Sequence, residues 1–289
     1  MVPPAKYQLG IIGYPIGHAL SPLMHNAAIE ALGLNYEYQS IGIPPEALAR
    51  EYRMLVDAGY LGLNVTIPHK QAIIEWLDEI DPTAQAIGAV NTIEIRNQKS
   101  RGYNTDALGF LRSVEPVAEA IEGKTVLMLG SGGAARAVFY GLVTQLHPSE
   151  IVIAARNRSK AEKLIDDLAR SMKGNTSFSL ISNEGEEIRQ TAARASAIIN
   201  ATPLGMHPNT HESPLPGDDL FSPEQVAIDL VYNPIQTAFL SSASRAGSRT
   251  LDGLGMLIYQ GAAAFKVFTG VEMPVEVVRD ALKRKLRES

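Results

Sequence analysis

Thr125-Val-Leu-Met-Leu-Gly130-Ser131-Gly132-Gly133-Ala134-Ala135-Arg-Ala-Val-Phe-Tyr-Gly-Leu142 joins an apolar run, a glycine cluster and a second, helically patterned apolar run. The first run does not alternate with polar residues, which is how a strand buried on both faces of a parallel sheet reads. Gly130, Gly132 and Ala135 then fall in the pattern G-x-G-x-x-A, between a strand and a helix, as the dinucleotide fingerprint requires. Gly130 permits the tight turn, Gly132 lets backbone approach a pyrophosphate, and Ala135 allows close packing of helix on strand. The helix start offers free N–H groups and positive dipole to phosphate. This stretch predicts a doubly wound, Rossmann-type domain around it.

The following strand, 151–154, indicates which dinucleotide. An NAD site places Asp or Glu just after it to hold the ribose hydroxyls. Here Arg156-Asn157-Arg158-Ser159-Lys160 follows, and no acid comes before Glu162. Arg156 can pair with a 2′-phosphate, while Arg158 or Lys160 adds charge. The segment favours NADP over NAD.

Further strands are expected at 8–13, 61–66, 197–200, 226–230 and 249–251. Pro45 opens a helix to Asp57 with Gly59 just beyond, and Ser21 and Pro22 read as N-cap and first residue of a helix ending near Gly33. Strands alternating with helices predict mainly parallel sheets covered on both faces. The 289 residues suit two domains. A boundary is expected near 106–109, giving domains 1–106 and 107–252. A strongly apolar helix, 254–268, and an amphipathic one, 274–287, are expected to return to the first domain as 253–289.

Composition narrows the chemistry. The chain has no cysteine, which excludes disulfides, thiolate nucleophiles and iron–sulfur clusters. A net charge of -5 gives no reason to expect nucleic acid. No apolar run reaches membrane-helix length, and no signal-peptide core is seen, so a cytoplasmic protein without a membrane partner is expected. His18, His25 and His69 lack metal-ligand spacing. They are read as structural hydrogen-bonding groups, with no metal expected.

Three clusters lie ahead of the glycine turn. They are Gly13-Tyr-Pro-Ile-Gly-His-Ala-Leu-Ser-Pro-Leu-Met-His25-Asn26, Asn64-Val-Thr-Ile-Pro-His-Lys70, and Gly88-Ala-Val-Asn91-Thr92 with Asn104-Thr-Asp106-Ala-Leu-Gly109. With Asp229-Leu-Val-Tyr-Asn-Pro and the closing Gly253-Leu-Gly-Met-Leu-Ile-Tyr-Gln260, they resemble the shikimate dehydrogenase family along the whole chain. The resemblance implies an N-terminal α/β domain for the substrate and a Rossmann domain for NADP. It implies reversible reduction of 3-dehydroshikimate to shikimate by NADPH, within aromatic amino-acid biosynthesis.

Residue by residue, the resemblance makes Lys70 and Asp106 the catalytic pair. It assigns Thr66, Asn91 and Gln260 to the ring hydroxyls, Ser21 to the carboxylate and Tyr232 to the pocket wall. Gly255 lies by the nicotinamide, and Ser131, Gly133, Ala134 and Thr202 join the cofactor set. Ala19 departs from the family pattern, which has serine there. Lys70 can donate a proton or stabilise the alkoxide that hydride delivery creates, and Asp106 holds it as one coupled pair. The alternatives are a quinate or dual quinate/shikimate dehydrogenase, a non-catalytic sensor of NADP or shikimate, and a tetrahydrofolate-type dehydrogenase. The expected assembly is a monomer or homodimer.

Overall fold

The computed structural model describes residues 5–17, 19–169, 175–217 and 219–287. His18 lies outside the described residues. The chain forms two compact units, Met1–Gly109 with Ile258–Ser289, and Phe110–Leu257.

The second unit is built on a six-stranded sheet whose strands are β7 (Thr125–Leu129), β8 (Glu150–Ala154), β9 (Ser177–Ile181), β10 (Ala197–Asn200), β11 (Val226–Asp229) and β12 (Arg249–Leu251). Their order, β12-β11-β10-β7-β8-β9, is parallel throughout and reverses direction between β7 and β10. Alternation along each strand fills two separate cores. Val126, Met128, Ile151, Ile153, Ile199 and Ile228 face one, and Leu127, Leu129, Val152, Ala154, Ile198 and Ala227 face the other. Burial on both sides is why these strands read as unbroken apolar runs. Open α/β sheets bind ligands beyond the carboxyl ends of the strands where the order reverses, and the glycine turn sits there, after β7.

The first unit is mixed. Its strands β1 (Tyr7–Gly13), β2 (Tyr36–Gly42), β3 (Gly62–Val65), β4 (Glu79–Ile80), β5 (Thr92–Arg96) and β6 (Lys99–Tyr103) lie in the order β2-β1-β3-β5-β6-β4. β2, β1 and β3 are parallel, but β5 runs antiparallel to both β3 and β6. β4 pairs parallel with β6, so the pairing is mainly parallel as expected and β5 is the exception. The cause is local: Asn97 and Gln98 both take positive φ, 52° and 61°, and close a two-residue hairpin between the paired Arg96 and Lys99.

Helix α1 (Ser21–Ala31) departs from expectation. Leu20, in the αR region, is its N-cap, and no side chain caps it; Ser21 is already helical and buried. The helix expected from Pro45 begins as a 3₁₀ turn, Pro45–Ala47, and continues as α2 (Leu48–Asp57), with Gly59 at φ 81° beyond it. Chain order then brings α3 (Pro82–Ile87), α4 (Asp106–Val114), α5 (Gly133–Gly141), α6 (Arg158–Ala169), α7 (Glu186–Arg194), α8 (Ala238–Arg245), α9 (Leu254–Thr269) and α10 (Val275–Arg287). Both passages between units fall inside helices, α4 and α9. α10 packs on α1. Phe268 of α9 lies so close over Gly62 that a Cβ there would meet its ring at 2.3 Å.

Candidate active site

Lys70 lies in the turn after β3, and its carbonyl accepts from Val90 N at 2.7 Å. Asp106 is the first residue of α4. The Asn104 side chain accepts from the backbone N–H groups of Asp106 at 3.1 Å and Ala107 at 3.3 Å, so the helix start is capped and the carboxylate's origin is fixed. Lys70 Nζ reaches Asp106 Oδ2 at 2.6 Å, with both side chains nearly buried. Such shielding strengthens the attraction within the pair while costing each charge its hydration.

Asn91 completes the group. Its Nδ2 donates to Asp106 Oδ1 at 2.8 Å and to Thr105 Oγ1 at 2.9 Å, and lies 3.4 Å from Gln260 Oε1. Its Oδ1 accepts from Thr105 N at 2.7 Å and from the Thr92 hydroxyl at 3.0 Å. Each Asp106 oxygen therefore has a donor of its own. The structure thus gathers Lys70, Asp106, Asn91 and Gln260. The arrangement offers a cation held beside a carboxylate, next to an amide, which suits stabilising charge on a carbonyl oxygen.

Thr66 and Ser21 belong to the same unit. Thr66 is half-buried, and its methyl would meet a Cβ on Gly13 at 2.4 Å. Ala19 is half-buried, and its N–H donates to Ile16 O at 3.1 Å. Tyr232 and Gly255 belong to the second unit, after β11 and on α9 respectively.

Two histidines behave differently from one another. His69 is buried, with Nε2 2.7 Å from Ile43 O. His25 corrects the expectation of structural hydrogen bonding: among the described residues neither of its ring nitrogens has a partner. It stacks instead on Tyr38, with centroids 4.2 Å apart and planes 6° from parallel, and meets Phe265 and Phe268. Burial lowers its pKa from 6.5 to about 3, so it is neutral.

Sequence reading left several residues of this unit unassigned. Tyr38 is buried; its hydroxyl donates to Asn64 Oδ1 at 2.7 Å, and burial holds its pKa well above the ordinary value, with Ser21 pulling back. Asn64 Nδ2 donates to Asn91 O at 3.1 Å and to Thr92 Oγ1 at 3.2 Å. Asn64 and Asn104 stood inside quoted motifs, which was a usable signal. Tyr38 stood in none.

In the second unit, the glycine turn fits a pyrophosphate by its shape. Gly130 has φ 108°, and a Cβ there would meet Thr202 Cγ2 at 2.9 Å and Ala201 O at 3.1 Å. Gly132 has an ordinary extended backbone, φ -82° and ψ -171°, and open space where a Cβ would stand. Gly130 is thus needed by the turn itself, whereas the bare surface at Gly132 serves close approach of something else. No side chain caps the first turn of α5, which begins at Gly133, and Ser131 and Ala134 flank that uncapped start. Ala135 is fully buried against the sheet.

The basic segment divides by task. Asn157 Oδ1 accepts from Lys160 N at 2.9 Å, so it caps α6. Arg158 pairs with Glu162 at 2.9 Å. Arg156 is exposed beyond β8 and has no side-chain partner among the described residues. Thr202 is held by Asn200 Oδ1, from its N–H at 3.0 Å and its hydroxyl at 2.7 Å. Asn200 Nδ2 in turn donates to Asp229 at 2.9 Å. Burial raises the Asp229 carboxyl to about 6, against donors Thr237, Val231 N and Asn200.

The chain is similar to known proteins over nearly its whole length. Residues 11–93 match the shikimate dehydrogenase substrate binding domain model, and residues 253–283 match the shikimate 5'-dehydrogenase C-terminal domain model. The shikimate dehydrogenase (NADP(+)) of Methanopyrus kandleri is 46% identical over 280 residues, 96% of each chain. A crystal structure of a shikimate dehydrogenase in complex with NADP+ superposes with a TM-score of 0.88 at 41% identity, covering 97% of this chain and 96% of that one. The shikimate 5-dehydrogenase of Thermus thermophilus, in complex with NADP(H) and shikimate, gives 0.82 at 35% identity, covering 96% and 99%.

Proposed function

This chain belongs to the shikimate dehydrogenase family, and on that premise we propose that it is an NADP-dependent oxidoreductase interconverting 3-dehydroshikimate and shikimate. The observation that carries the chemistry is the buried Lys70–Asp106 contact at 2.6 Å, with Asn91 on the other carboxylate oxygen at 2.8 Å. The first unit holds the hydroxylated ring acid and the second holds NADP.

Bound NADPH supplies the hydride, and the protein's own groups do the rest. Reduction places negative charge on the carbonyl oxygen, where Lys70 Nζ is the cation that meets it. Asp106 fixes the lysine and accepts from a ring hydroxyl. Asn91 keeps that carboxylate in place, and Gln260 and Thr66 face the remaining hydroxyls. Ser21 holds the carboxylate alone, since Ala19 offers no second hydroxyl. In the cofactor unit, the bare backbone at Gly132 and the uncapped start of α5 receive the pyrophosphate, and Arg156 receives the 2′-phosphate. Water-soluble, anionic reactants support a cytoplasmic setting.

The test is a matrix of initial rates, NADP or NAD reduction with shikimate or quinate. NADP with shikimate is expected to give the highest kcat/KM. Turnover with quinate alone, or no turnover at all, refutes the assignment.

A further inference from the structure

Helix α1 carries Ser21, His25 and Asn26, and all three converge on one residue of the neighbouring edge strand. Asn26 accepts from Tyr38 N at 3.0 Å and donates to Tyr38 O at 2.9 Å, pairing backbone groups that an edge strand otherwise leaves open. His25 stacks on the ring at 4.2 Å. The Ser21 side chain lies close enough to the phenol to draw its pKa back down. A buried tyrosine held at its backbone, its ring and its oxygen has a single orientation.

The phenol O–H leaves this clamp toward Asn64 Oδ1, at 2.7 Å. That bond fixes the Asn64 amide from its oxygen end, because only the carbonyl can accept it. The amide's other end then donates to Asn91 O and to Thr92 Oγ1, and Thr92 donates to the Asn91 side-chain oxygen at 3.0 Å. With its oxygen so occupied, Asn91 presents Nδ2 to Asp106 Oδ1 at 2.8 Å. The path from α1 to the carboxylate is unbroken, and Tyr38, Asn64, Thr92, Asn91 and Asp106 along it are all buried.

We propose that Tyr38 is a positioning residue of the active site: its hydroxyl orients Asn64, which sets Asn91 on Asp106 and so holds the Lys70–Asp106 pair in its working geometry. The inference rests on the function proposed above. It gives the motif Ser21-Pro-Leu-Met-His25-Asn26 a task beyond substrate contact. Without the hydroxyl, the buried Asn64 Oδ1 lacks its donor, and the amide is held only from its other end, by Asn91 O and Thr92.

Tyr38→Phe removes the hydroxyl and keeps the stacked ring. The expected result is a kcat about tenfold lower, a KM for shikimate changed less than threefold, and an unchanged KM for NADP. In an Asn64→Leu background the same substitution should cost less than twofold, since the acceptor is already gone. Asn26→Ala is the second variant. It frees the Tyr38 backbone while leaving the site's side chains whole, and should lower kcat about threefold. Melting curves accompany each variant. A purely structural Tyr38 would lower Tm yet leave kcat and KM intact in the folded enzyme, and that result overturns the proposal. Equal factors in the wild-type and Asn64→Leu backgrounds overturn it too. If Tyr38→Phe does not fold, Asn26→Ala decides alone, and an unchanged kcat there refutes the relay. A wild-type enzyme inactive on shikimate would instead refute the proposed function, so the two failures are separable.

Discussion

Replacing His25 with phenylalanine removes a pH dependence that burial imposes on the first unit. The native imidazole titrates at about 3 because burial strips its solvation, whereas in the unfolded chain it titrates near 6.5. The folded-state pKa is depressed, so this residue's contribution is intact above pH 6.5 and is lost progressively as pH falls toward 3. At pH 5 the unfolded chain binds this proton and the folded one does not. About 1.5 pH units of separation at about 1.4 kcal/mol each give a loss of about 2 kcal/mol relative to pH 7.

Phenylalanine keeps the contacts with Tyr38, Phe265 and Phe268 and has no proton to take up. The assay is urea unfolding at pH 7 and pH 5, followed by Trp76 emission. Trp76 is the single tryptophan and belongs to the unit that carries His25. Asp229, whose raised carboxyl pKa gives a slope of opposite sign between about pH 4 and 6, belongs to the other unit. At roughly 2 kcal/mol per molar urea, the wild-type midpoint should fall about 1 M further than the variant's between the two pH values. Parallel shifts in both proteins would show that His25 is protonated, or solvated, in the native state.

Lys70→Ala is expected to lower kcat about 100-fold with a far smaller change in KM for shikimate, and near-normal turnover in steady-state assays would remove the lysine from the mechanism. Arg156→Ala should weaken NADP binding by about 1.5–3 kcal/mol and leave NAD nearly unaffected; equal losses by titration calorimetry would make it a fold residue. Gly132→Ala should melt like the wild type but bind NADP at least tenfold more weakly. Gly130→Ala should instead lower Tm, because its φ of 108° and the 2.9 Å approach to Thr202 leave no room for a methyl. Ala19→Ser is expected to lower KM for shikimate roughly 5- to 50-fold with kcat within about twofold, since a carboxylate contact is felt equally in ground and transition states. A KM that stays the same or rises would show that this position does not face the carboxylate.

What could be read from residues alone followed the strength of local patterning. The β7 strand, its glycine turn and α5 were legible because two-sided burial writes a continuous apolar run and the turn demands glycine at Gly130. β2 was not, because an edge strand reading Tyr-Glu-Tyr-Gln-Ser-Ile-Gly buries only Tyr38 fully. The β5–β6 hairpin was hidden by Gln98, a residue not expected at positive φ where glycine is the usual signal. Lys70, Asp106 and Asn91 stood out as motifs, and the structure brings them together. Tyr38 escaped because its task arises only when α1, β2 and β3 meet, and its bond to Asn64 spans 26 positions of sequence. Ser21 looked like a helix cap because serine favours that place. The helix starts one residue earlier than that reading, so Ser21 is already inside it and its hydroxyl caps nothing.

The first unit is assembled from both ends of the chain, Met1–Gly109 and Ile258–Ser289, while the second is one uninterrupted run between them. On a ribosome emitting roughly 5–20 residues per second, the later-encoded unit therefore has all its residues before the earlier one does. Until α9 and α10 emerge, nascent α1 lacks its helical partners, and the apolar faces of Met24 and His25 that Gly261, Phe265 and Phe268 will cover stay open to water. The order of synthesis and the order of completion are inverted. The N-terminal part of the first unit is the first to be made and the last to be completed.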